Sequence, residues 1–328
     1  MQVSFVIPLF NCLPLTQAML ASLQATLPPG LAHEIILVDD GSTDGTREWL
    51  ATLSDPPFRI FLNEQNRGYA VANNRGAAAA RGEFLALLNN DLVLTPHWLE
   101  PMLAVFAHEP AAGLVGNVQY DFRTRSLDHT GVFINHKGKP QHDKTPPSDF
   151  RPPRRDWRPV DAVTGACVLI RRTLWQQLGG FDQSYLNGCE DVDLCIRART
   201  AGHINAVALR SAVFHHISAS SGRKLRDEEN CYRLTLRWRD ELAELGQRAW
   251  CLKFINCDLN AATLPSVAMS VLAYTMGWRH HAPAAALAGM RAAINHELAR
   301  WGKMFPLLMT ADATHRPIAH LPRMAGTG

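Results

Sequence analysis

Apolar runs and helical stripes alternate along the first part of the chain, and this alternation constrains the fold most strongly. Short continuous apolar runs, which predict buried strands, lie at residues 3–7, 34–38, 59–62 and 83–88. Segments with apolar residues at helical spacing, which predict helices, lie at residues 13–27, around Trp49 to Leu53, and at 69–80. Strands and helices that alternate with short connections predict an α/β fold with a doubly wound, mostly parallel sheet.

Polar residues follow three of these predicted strands at the points where the strands end. They lie at residues 8–11, 39–42 and 89–91. Because ligands of such sheets bind beyond the carboxyl ends of the strands, the three segments predict a binding site at one edge. The sequence has no GxGxxG motif after the first strand, which argues against a dinucleotide oxidoreductase, and it has no P-loop.

Two adjacent carboxylates, Glu190 and Asp191, begin another helical pattern. Apolar residues at helical spacing follow them as far as Ile196, so both acids fall on the first turn of a predicted helix. The positive end of the helix dipole favours an ionised carboxylate there, which suits a general base. Taken alone, such a pair is more often a helix cap.

Other polar residues in the chain are of types that ligate cations. Asp91 ends a predicted strand and could ligate a divalent cation that neutralises a diphosphate, although a loop acid bonded to backbone amides gives the same pattern. His215 and His216 end another apolar run, and adjacent strand residues point to opposite faces, so at most one of them faces a site. Together with Asp91, an imidazole would give an oxygen–nitrogen site compatible with Mn²⁺ or Mg²⁺.

The middle of the chain carries weaker patterns. Thr95 and Pro96 predict a helix start, with Thr95 as the N-cap and Pro96 in the first turn. Residues 121–158 lack periodicity and predict a functional loop or a disordered insertion. Residues 227–245 predict one amphipathic helix.

Composition and charge narrow the class of protein. A formal net charge of +3 is too small to indicate a nucleic-acid partner. The 7 cysteines show no CxxC spacing and several lie in apolar runs, which indicates reduced thiols and a cytoplasmic location. The N-terminus enters an apolar run without a charged segment before it, which is not typical of a signal peptide.

The C-terminal part of the chain, from residue 256, has a different character. Residues 261–278 are apolar, but Pro265 interrupts them and they fall short of the roughly 20 apolar residues of a spanning helix. Residues 284–305 predict a helix with an apolar face and basic residues on its remainder. Such a helix could lie on an anionic membrane surface, or it could pack on the rest of the chain or on a second subunit.

Nine sequence blocks, in this order and spacing, resemble the inverting glycosyltransferase family 2 of GT-A fold, and its bacterial rhamnosyltransferase-like branch in particular. The blocks are VIPLFN at 6–11, VDDGSTD at 38–44, NRGYAVANN at 66–74, ARGEF at 80–84, LNND at 88–91, TGACVLIRR at 164–172, GGFD at 179–182, EDVDL at 190–194 and FHHISAS at 214–220. Each block is common alone, whereas their order over about two-thirds of the chain is specific to the family.

The resemblance implies a role for each matching residue. Nucleotide-sugar binding is implied for Pro8, Phe10, Asn11, Asp39, Asp40, Gly68, Asn73, Asn89, Asn90 and Asp91. Asp191 matches the catalytic base, Glu190 and Gly165 match acceptor contacts, and Asp91 with His215 matches the metal site. Asn89 stands where the family has the first acid of its DxD motif, so one negative charge is missing.

The resemblance therefore implies an inverting, metal-dependent glycosyltransferase with a catalytic domain at 1–255 and a helical extension at 256–328. The donor would be a dTDP-, UDP- or GDP-linked sugar, and the acceptor a glycan or lipid-linked glycan of bacterial cell-surface polysaccharide synthesis. A rhamnosyltransferase is expected first, with a hexosyl or N-acetylhexosaminyl transferase or a nucleotide-sugar-binding pseudo-enzyme as alternatives. Peripheral contact with the inner face of the plasma membrane and a homo-oligomer are further expectations.

Overall fold

The computed structural model of the protein describes residues 1–53, 57–149, 156–216, 227–259 and 265–305. Its strands are β1 Val3–Leu9, β2 His33–Asp39, β3 Phe58–Leu62, β4 Phe84–Leu88, β5 Leu92–Leu94, β6 Ala112–Asp121, β7 Leu127–His129, β8 Val132–Ile134, β9 Pro140–His142, β10 Trp157–Pro159, β11 Cys167–Arg171 and β12 Ile204–His215. Its helices are α1 Leu13–Thr26, α2 Thr46–Leu50, α3 Tyr69–Ala79, α4 Leu99–His108, α5 Arg172–Leu178, α6 Glu190–Thr200, α7 Asp227–Arg237, α8 Arg239–Leu245, α9 Gln247–Lys253, α10 Pro265–Thr275 and α11 Ala284–Met304. The end of the last family block, residues 217–220, lies outside the described residues.

The central sheet has the strand order β10-β12-β6-β11-β4-β1-β2-β3. Strands β3, β2, β1 and β4 are parallel neighbours, and β6 is parallel to β12. Strand β11 lies antiparallel between β4 and β6. The predicted α/β fold with a mostly parallel sheet is thus confirmed.

The direction of the strands brings the predicted polar segments to one edge of the sheet. Strands β1 and β4 are buried along their whole length, as expected of continuous apolar runs covered on both faces. Because β1, β2, β4, β6 and β12 run the same way, their carboxyl ends share one edge, which we call the carboxyl edge. The amino end of β11 lies at the same edge, where the Asn89 amide donates to the Ala166 carbonyl at 2.8 Å.

The helix predicted to start at Thr95 starts later. Helix α4 begins at Leu99. The Thr95 hydroxyl donates to the Ala212 carbonyl of β12 at 2.7 Å, and Trp98 stands at the N-cap position. The prediction was wrong because the chain makes a turn at residues 96–98 before the helix begins.

Two other segments also differ from the sequence-based prediction. The described part of residues 121–158 contains the short strands β7, β8 and β9 and the start of β10, so it holds some regular structure and is not a structureless loop. These strands have only three residues each, too few to show a period of two. The single helix predicted over 227–245 is two helices, α7 and α8, which are separated at Trp238.

Contacts divide the chain into two compact units. The first comprises residues 1–133 and 140–230, and the second comprises residues 134–139 and 231–328. The first unit holds the central sheet and the carboxyl edge. The first unit ends within α7, at residue 230. The predicted domain boundary after residue 255 stays a prediction.

Helix α11 belongs to the second unit, and its apolar face is packed. Met290, Ile294 and Trp301 are fully buried, and the helix contacts α8 and α9. Of the two roles that the sequence left open for this face, the structure shows packing within the chain. Within the described residues, no helix combines the length and the apolar character that a membrane span requires.

Candidate active site

The turn after β2 is built around Asp39. This side chain is fully buried and accepts hydrogen bonds from the Gly41 and Ser42 amides at 3.3 Å. The Arg47 Nε donates to it at 2.8 Å. Asp39 therefore holds the turn together, and its predicted contact with a nucleotide stays a prediction.

Asp40 fixes the backbone that precedes α3. Its carboxylate accepts from Asn63 Nδ2 at 2.6 Å, from the Arg67 amide at 3.0 Å and from the Gly68 amide at 2.8 Å. Gly41 is required beside it, because a Cβ there would lie 2.7 Å from the Asn66 amide nitrogen. A nucleotide base that donates a hydrogen bond to Asp40 would have to compete with these three donors for the carboxylate lone pairs.

The end of β1 supplies the next group of predicted residues. Pro8 is buried within the strand, whereas Phe10 just beyond it is 47% exposed. Asn11 adopts a left-handed conformation, with φ 55°, and its Oδ1 accepts from the Thr43 amide at 2.8 Å. Asn11 thus ties the end of β1 to the turn after β2, and Phe10 offers an open aromatic surface.

Gly68 and Asn73 occupy different environments. Gly68 has φ 95°, a conformation that favours glycine, and caps the start of α3. Asn73 is fully buried inside that helix, where its Nδ2 donates to the Tyr69 carbonyl at 3.0 Å. None of the Asn73 side chain is exposed to a ligand in this structure. The expectation that Asn73 covers the nucleoside stays a prediction.

The segment after β4 separates its three polar residues. Asn90 Nδ2 donates to the Thr16 hydroxyl of α1 at 2.9 Å, so it bonds within the scaffold. Asn89 Oδ1 is buried and has no hydrogen-bond partner among the described residues. Asp91 Oδ1 lies 3.1 Å from His215 Nε2 at the end of β12.

The structure selects between the two histidines. His215 and Asp91 are both largely buried, with side chains 9% and 15% exposed. His216 instead stacks on the Phe122 ring, with ring centroids 4.0 Å apart. An imidazole nitrogen and a carboxylate oxygen that converge at 3.1 Å form a donor set that fits a divalent cation and leaves further coordination positions open.

Asp191 stands on the first turn of α6, as predicted. The three residues before Glu190 all lie at positive φ, with Asn187 at 56°, Gly188 at 158° and Cys189 at 70°. Asp191 Oδ2 accepts from the Gly165 amide at 2.7 Å, and Oδ1 accepts from the Val192 amide at 2.8 Å. Two backbone donors therefore orient the carboxylate and leave it lone pairs to accept a proton.

The neighbours of Asp191 have distinct roles in the helix. Glu190 is 6% exposed and its Oε2 accepts from the Gly188 amide at 2.6 Å, so a contact with an acceptor stays a prediction. Asp193 is fully buried and pairs with Arg197 at 2.8 Å. Asp193 therefore has a structural role in α6.

Two residues that the sequence analysis did not single out link α3 to α6. Tyr69 Oη donates to the Gly165 carbonyl at 2.8 Å, on the residue whose amide holds Asp191. Asn187 Oδ1 accepts from the Tyr69 amide at 3.2 Å. Both residues lie in or beside the family blocks, but only the tertiary structure shows that they meet.

Comparisons with known proteins give the chain its relatives. The O-antigen biosynthesis protein RfbC of Myxococcus xanthus is 32% identical over 197 residues, covering 57% of this chain and 15% of that protein. The N-acetylglucosaminyl-diphospho-decaprenol L-rhamnosyltransferase of Mycobacterium tuberculosis is 29% identical over 219 residues, covering 58% of this chain and 68% of that protein. This chain thus spans a small part of the Myxococcus protein and about two thirds of the Mycobacterium protein.

The fold has counterparts among solved structures. GalNAc-T7 with UDP, GalNAc and Mn²⁺ matches with a TM-score of 0.62 at 17% identity, over 82% of this chain and 53% of that one. At this identity the likeness concerns the fold alone. The family model of glycosyl transferase family 2 matches residues 4–179, which is more than half of the chain. The protein therefore belongs to glycosyl transferase family 2 and has the GT-A fold.

Proposed function

We propose that this protein transfers a sugar from a nucleotide-diphospho-sugar to a hydroxyl of a glycan or lipid-linked glycan, with inversion at the anomeric carbon. The observation that carries the proposal is the Asp191 carboxylate, which the Gly165 and Val192 amides hold at 2.7 and 2.8 Å on the first turn of α6. The positive end of the helix dipole lies beside it. A carboxylate fixed in this way at the carboxyl edge suits a general base.

The proposed chemistry is a single in-line displacement. Asp191 takes the proton of the acceptor hydroxyl as that oxygen attacks the anomeric carbon. The new C–O bond forms on one side while the bond to the diphosphate oxygen breaks on the other, and the nucleoside diphosphate leaves with the electron pair. Positioned general-base action of this kind contributes about 10²–10⁴-fold to the rate.

Asp91 and His215 would hold the divalent cation, Mn²⁺ or Mg²⁺, that the family resemblance implies. Bound there, the cation supplies positive charge to the departing diphosphate. The fit rests on the 3.1 Å approach of Asp91 Oδ1 and His215 Nε2. The presence of Mn²⁺ in the GalNAc-T7 structure is further support, at the level of a shared fold.

The name of the Mycobacterium relative makes a deoxyhexose donor and a lipid-linked acceptor the first choice, and that of the Myxococcus relative favours polysaccharide synthesis. A hexosyl or N-acetylhexosaminyl donor is the second choice. A cytoplasmic enzyme at the inner face of the plasma membrane and a homo-oligomer are part of the proposal. The alternative is a pseudo-enzyme that only binds nucleotide sugars. The one feature that favours it is Asn89, which stands where the family has the first acid of its DxD motif.

The decisive test combines a donor screen with one substitution. Purified protein is incubated with dTDP-, UDP- and GDP-sugars and Mn²⁺ or Mg²⁺, and release of the nucleoside diphosphate is measured. Asp191→Asn should lower turnover about 10²–10⁴-fold and leave nucleotide-sugar binding unchanged. Asp240→Asn, at a surface ion pair with Arg291, is the control and should keep full turnover. Full turnover in Asp191→Asn would show that another group is the base.

A further inference from the structure

Buried polar side chains lie next to the segment before β11, whose Gly165 amide holds the proposed base Asp191. Thr164 precedes Gly165, whose amide holds Asp191 Oδ2 at 2.7 Å. The Thr164 hydroxyl oxygen lies 3.3 Å from Gln119 Nε2 and 3.4 Å from His129 Nε2. Gln119 and His129 are 1% and 2% exposed, whereas Thr164 is only half-buried. Thr164 therefore joins a buried polar pair to the segment whose Gly165 amide holds the base.

The direction of these hydrogen bonds follows from the His129 ring. The Gly131 amide donates to His129 Nδ1 at 3.3 Å, so this nitrogen carries the lone pair. In a neutral imidazole the hydrogen then sits on Nε2, which donates to the Thr164 oxygen. Burial, followed by the charge of His142, lowers the pKa of His129 to about 3, so the ring is neutral at pH 7.

These donors fill the lone pairs of the Thr164 hydroxyl. A hydroxyl oxygen has two lone pairs and one hydrogen, and here His129 and Gln119 each donate to one lone pair. Among the described residues, no group accepts the hydroxyl hydrogen. Thr164 is thus held as a hydrogen-bond donor, one residue before the amide that holds Asp191.

A metal ion is the other use that this cluster suggests, and the hydrogen bonds of His129 compete with it. Ligand atoms of Asp128, His129 and His142 lie within 4.8 Å of one another. A ring nitrogen that binds a metal must offer its lone pair while the other nitrogen donates. In His129 the Nδ1 lone pair already accepts from the Gly131 amide, and Nε2 carries the hydrogen. Within this cluster, His129 is the member that contacts the Thr164 hydroxyl and orients it.

We propose that the Thr164 hydroxyl donates a hydrogen bond to an acceptor oxygen that neighbours the hydroxyl deprotonated by Asp191. The proposal rests on the transferase function proposed above. Because this hydroxyl can only donate, it selects an acceptor with an oxygen at that place and disfavours one with a C–H group there. Leaving the hydroxyl without a partner costs binding free energy, which makes Thr164 a residue that determines acceptor specificity.

The hydrogen-bond direction can be measured without any substrate. Long-range ¹H–¹⁵N correlation spectra of the full chain with ¹⁵N-labelled histidine distinguish the two neutral tautomers, and His129→Gln identifies the His129 signals. We expect the Nε2–H tautomer at pH 7, still neutral at pH 5. The Nδ1–H tautomer, or a protonated ring at pH 5, would overturn the proposal.

The effect on specificity is measured with Thr164→Val and Thr164→Ser. The acceptor probes are octyl N-acetylglucosaminide and its monodeoxy analogues, each with the donor found in the screen. The wild type should prefer the parent glycoside over one deoxy analogue about 10- to 100-fold in kcat/KM. Thr164→Val should reduce this preference to near unity, and Thr164→Ser should keep it.

Control reactions separate this inference from the transferase function itself. Thr26→Val removes a half-buried hydroxyl that bonds within α1 and should keep the wild-type preference. If Thr164→Val keeps the preference while turnover is normal, Thr164 is not the specificity residue. If the wild type turns over no donor at all, the transferase function fails, and the tautomer measurement still decides the hydrogen-bond direction.

Discussion

At the scale of single residues, the acids of the carboxyl edge differ in how many lone pairs the fold leaves open. Asp40 accepts from three donors, and Asp39 accepts from two turn amides and from Arg47. Among the residues that the structure describes, Asp191 accepts from two backbone amides alone. In the sequence all three are acids at predicted strand or helix ends and look alike. The three partners of Asp40, and Gly165 that holds Asp191, lie 23 to 28 residues away in the chain, so this part of the difference is visible only in the tertiary structure.

His129 should make the protein sensitive to acid. Burial lowers its pKa from 6.5 to about 3, so the unfolded chain binds more protons than the folded one between these pH values. The free energy of unfolding therefore falls as the pH drops below 6.5. Between pH 7.5 and pH 5 this one group costs about 2 kcal/mol, from about 1.4 kcal/mol per pH unit. Denaturant unfolding of wild type and His129→Gln at the two pH values measures it.

We expect His129→Gln to lose less stability than the wild type over this pH range, because glutamine does not titrate. His97→Gln, at an exposed histidine, should show the wild-type loss. Equal losses in all three proteins would show that His129 is already protonated in the folded state.

Asn89 should limit cation affinity. Its Oδ1 is buried without a partner among the described residues, two positions before Asp91. Asn89→Asp adds a negative charge where the family has one, and we expect Mn²⁺ to bind about tenfold more tightly, or about 1.4 kcal/mol. Calorimetric titration with Mn²⁺ measures this directly. Asn90→Asp is the control, because Asn90 bonds to Thr16 and should give no gain. Unchanged affinity in Asn89→Asp would place Asn89 outside the cation site.

At the scale of elements, the sequence predicts best where a strand is buried on both faces. Strands β1, β2 and β4 appear as continuous apolar runs, and their ends give three of the polar segments of the site. The antiparallel direction of β11 cannot be predicted, since an apolar run carries no sign of direction. His129 escaped notice for a related reason: it lies in β7, which is too short to show a strand pattern.

Helix α6 depends on a buried ion pair that joins it to the end of α5. Arg197 bonds to the fully buried Asp193 at 2.8 Å, and to the carbonyls of Leu178 and Gly180 at 2.5 and 2.7 Å. Arg197→Ala leaves the Asp193 charge buried without its cation, and we expect a loss of about 3–5 kcal/mol in unfolding free energy. Denaturant unfolding measures it.

The matched control for Arg197→Ala is Arg210→Ala. Arg210 pairs with Asp156 at 2.8 Å, but their side chains are 74% and 62% exposed, so about 0–1 kcal/mol is expected. Equal effects of the two substitutions would mean that Asp193 finds another partner and that the ion pair does not anchor α6.

At the scale of the whole molecule, each of the two compact units has a hydrophobic cluster of its own. The first unit carries every predicted site residue. In the second unit the apolar face of α11 is used for packing, and large apolar side chains are exposed elsewhere. They are Met269, Met276 and Trp278, which are 61%, 59% and 72% exposed. Arg279 follows Trp278 directly, so apolar surface and positive charge occur together, as in proteins that bind anionic membranes.

Vesicle binding should therefore depend on α10 and the turn after it, not on α11. We expect the full chain to sediment with vesicles that contain anionic lipid, less so at high salt. Met276→Ser or Trp278→Ser should each lower the affinity about tenfold, since burying a large apolar side chain contributes about 1.5–3 kcal/mol. Leu62→Ser, at a 48% exposed leucine of β3, is the matched control and should sediment like the wild type. If the full chain stays in the supernatant, these residues contact no membrane. If Leu62→Ser lowers the affinity for vesicles equally, the membrane contact is not specific to the second unit. A membrane location of the enzyme would then depend on its lipid-linked acceptor alone.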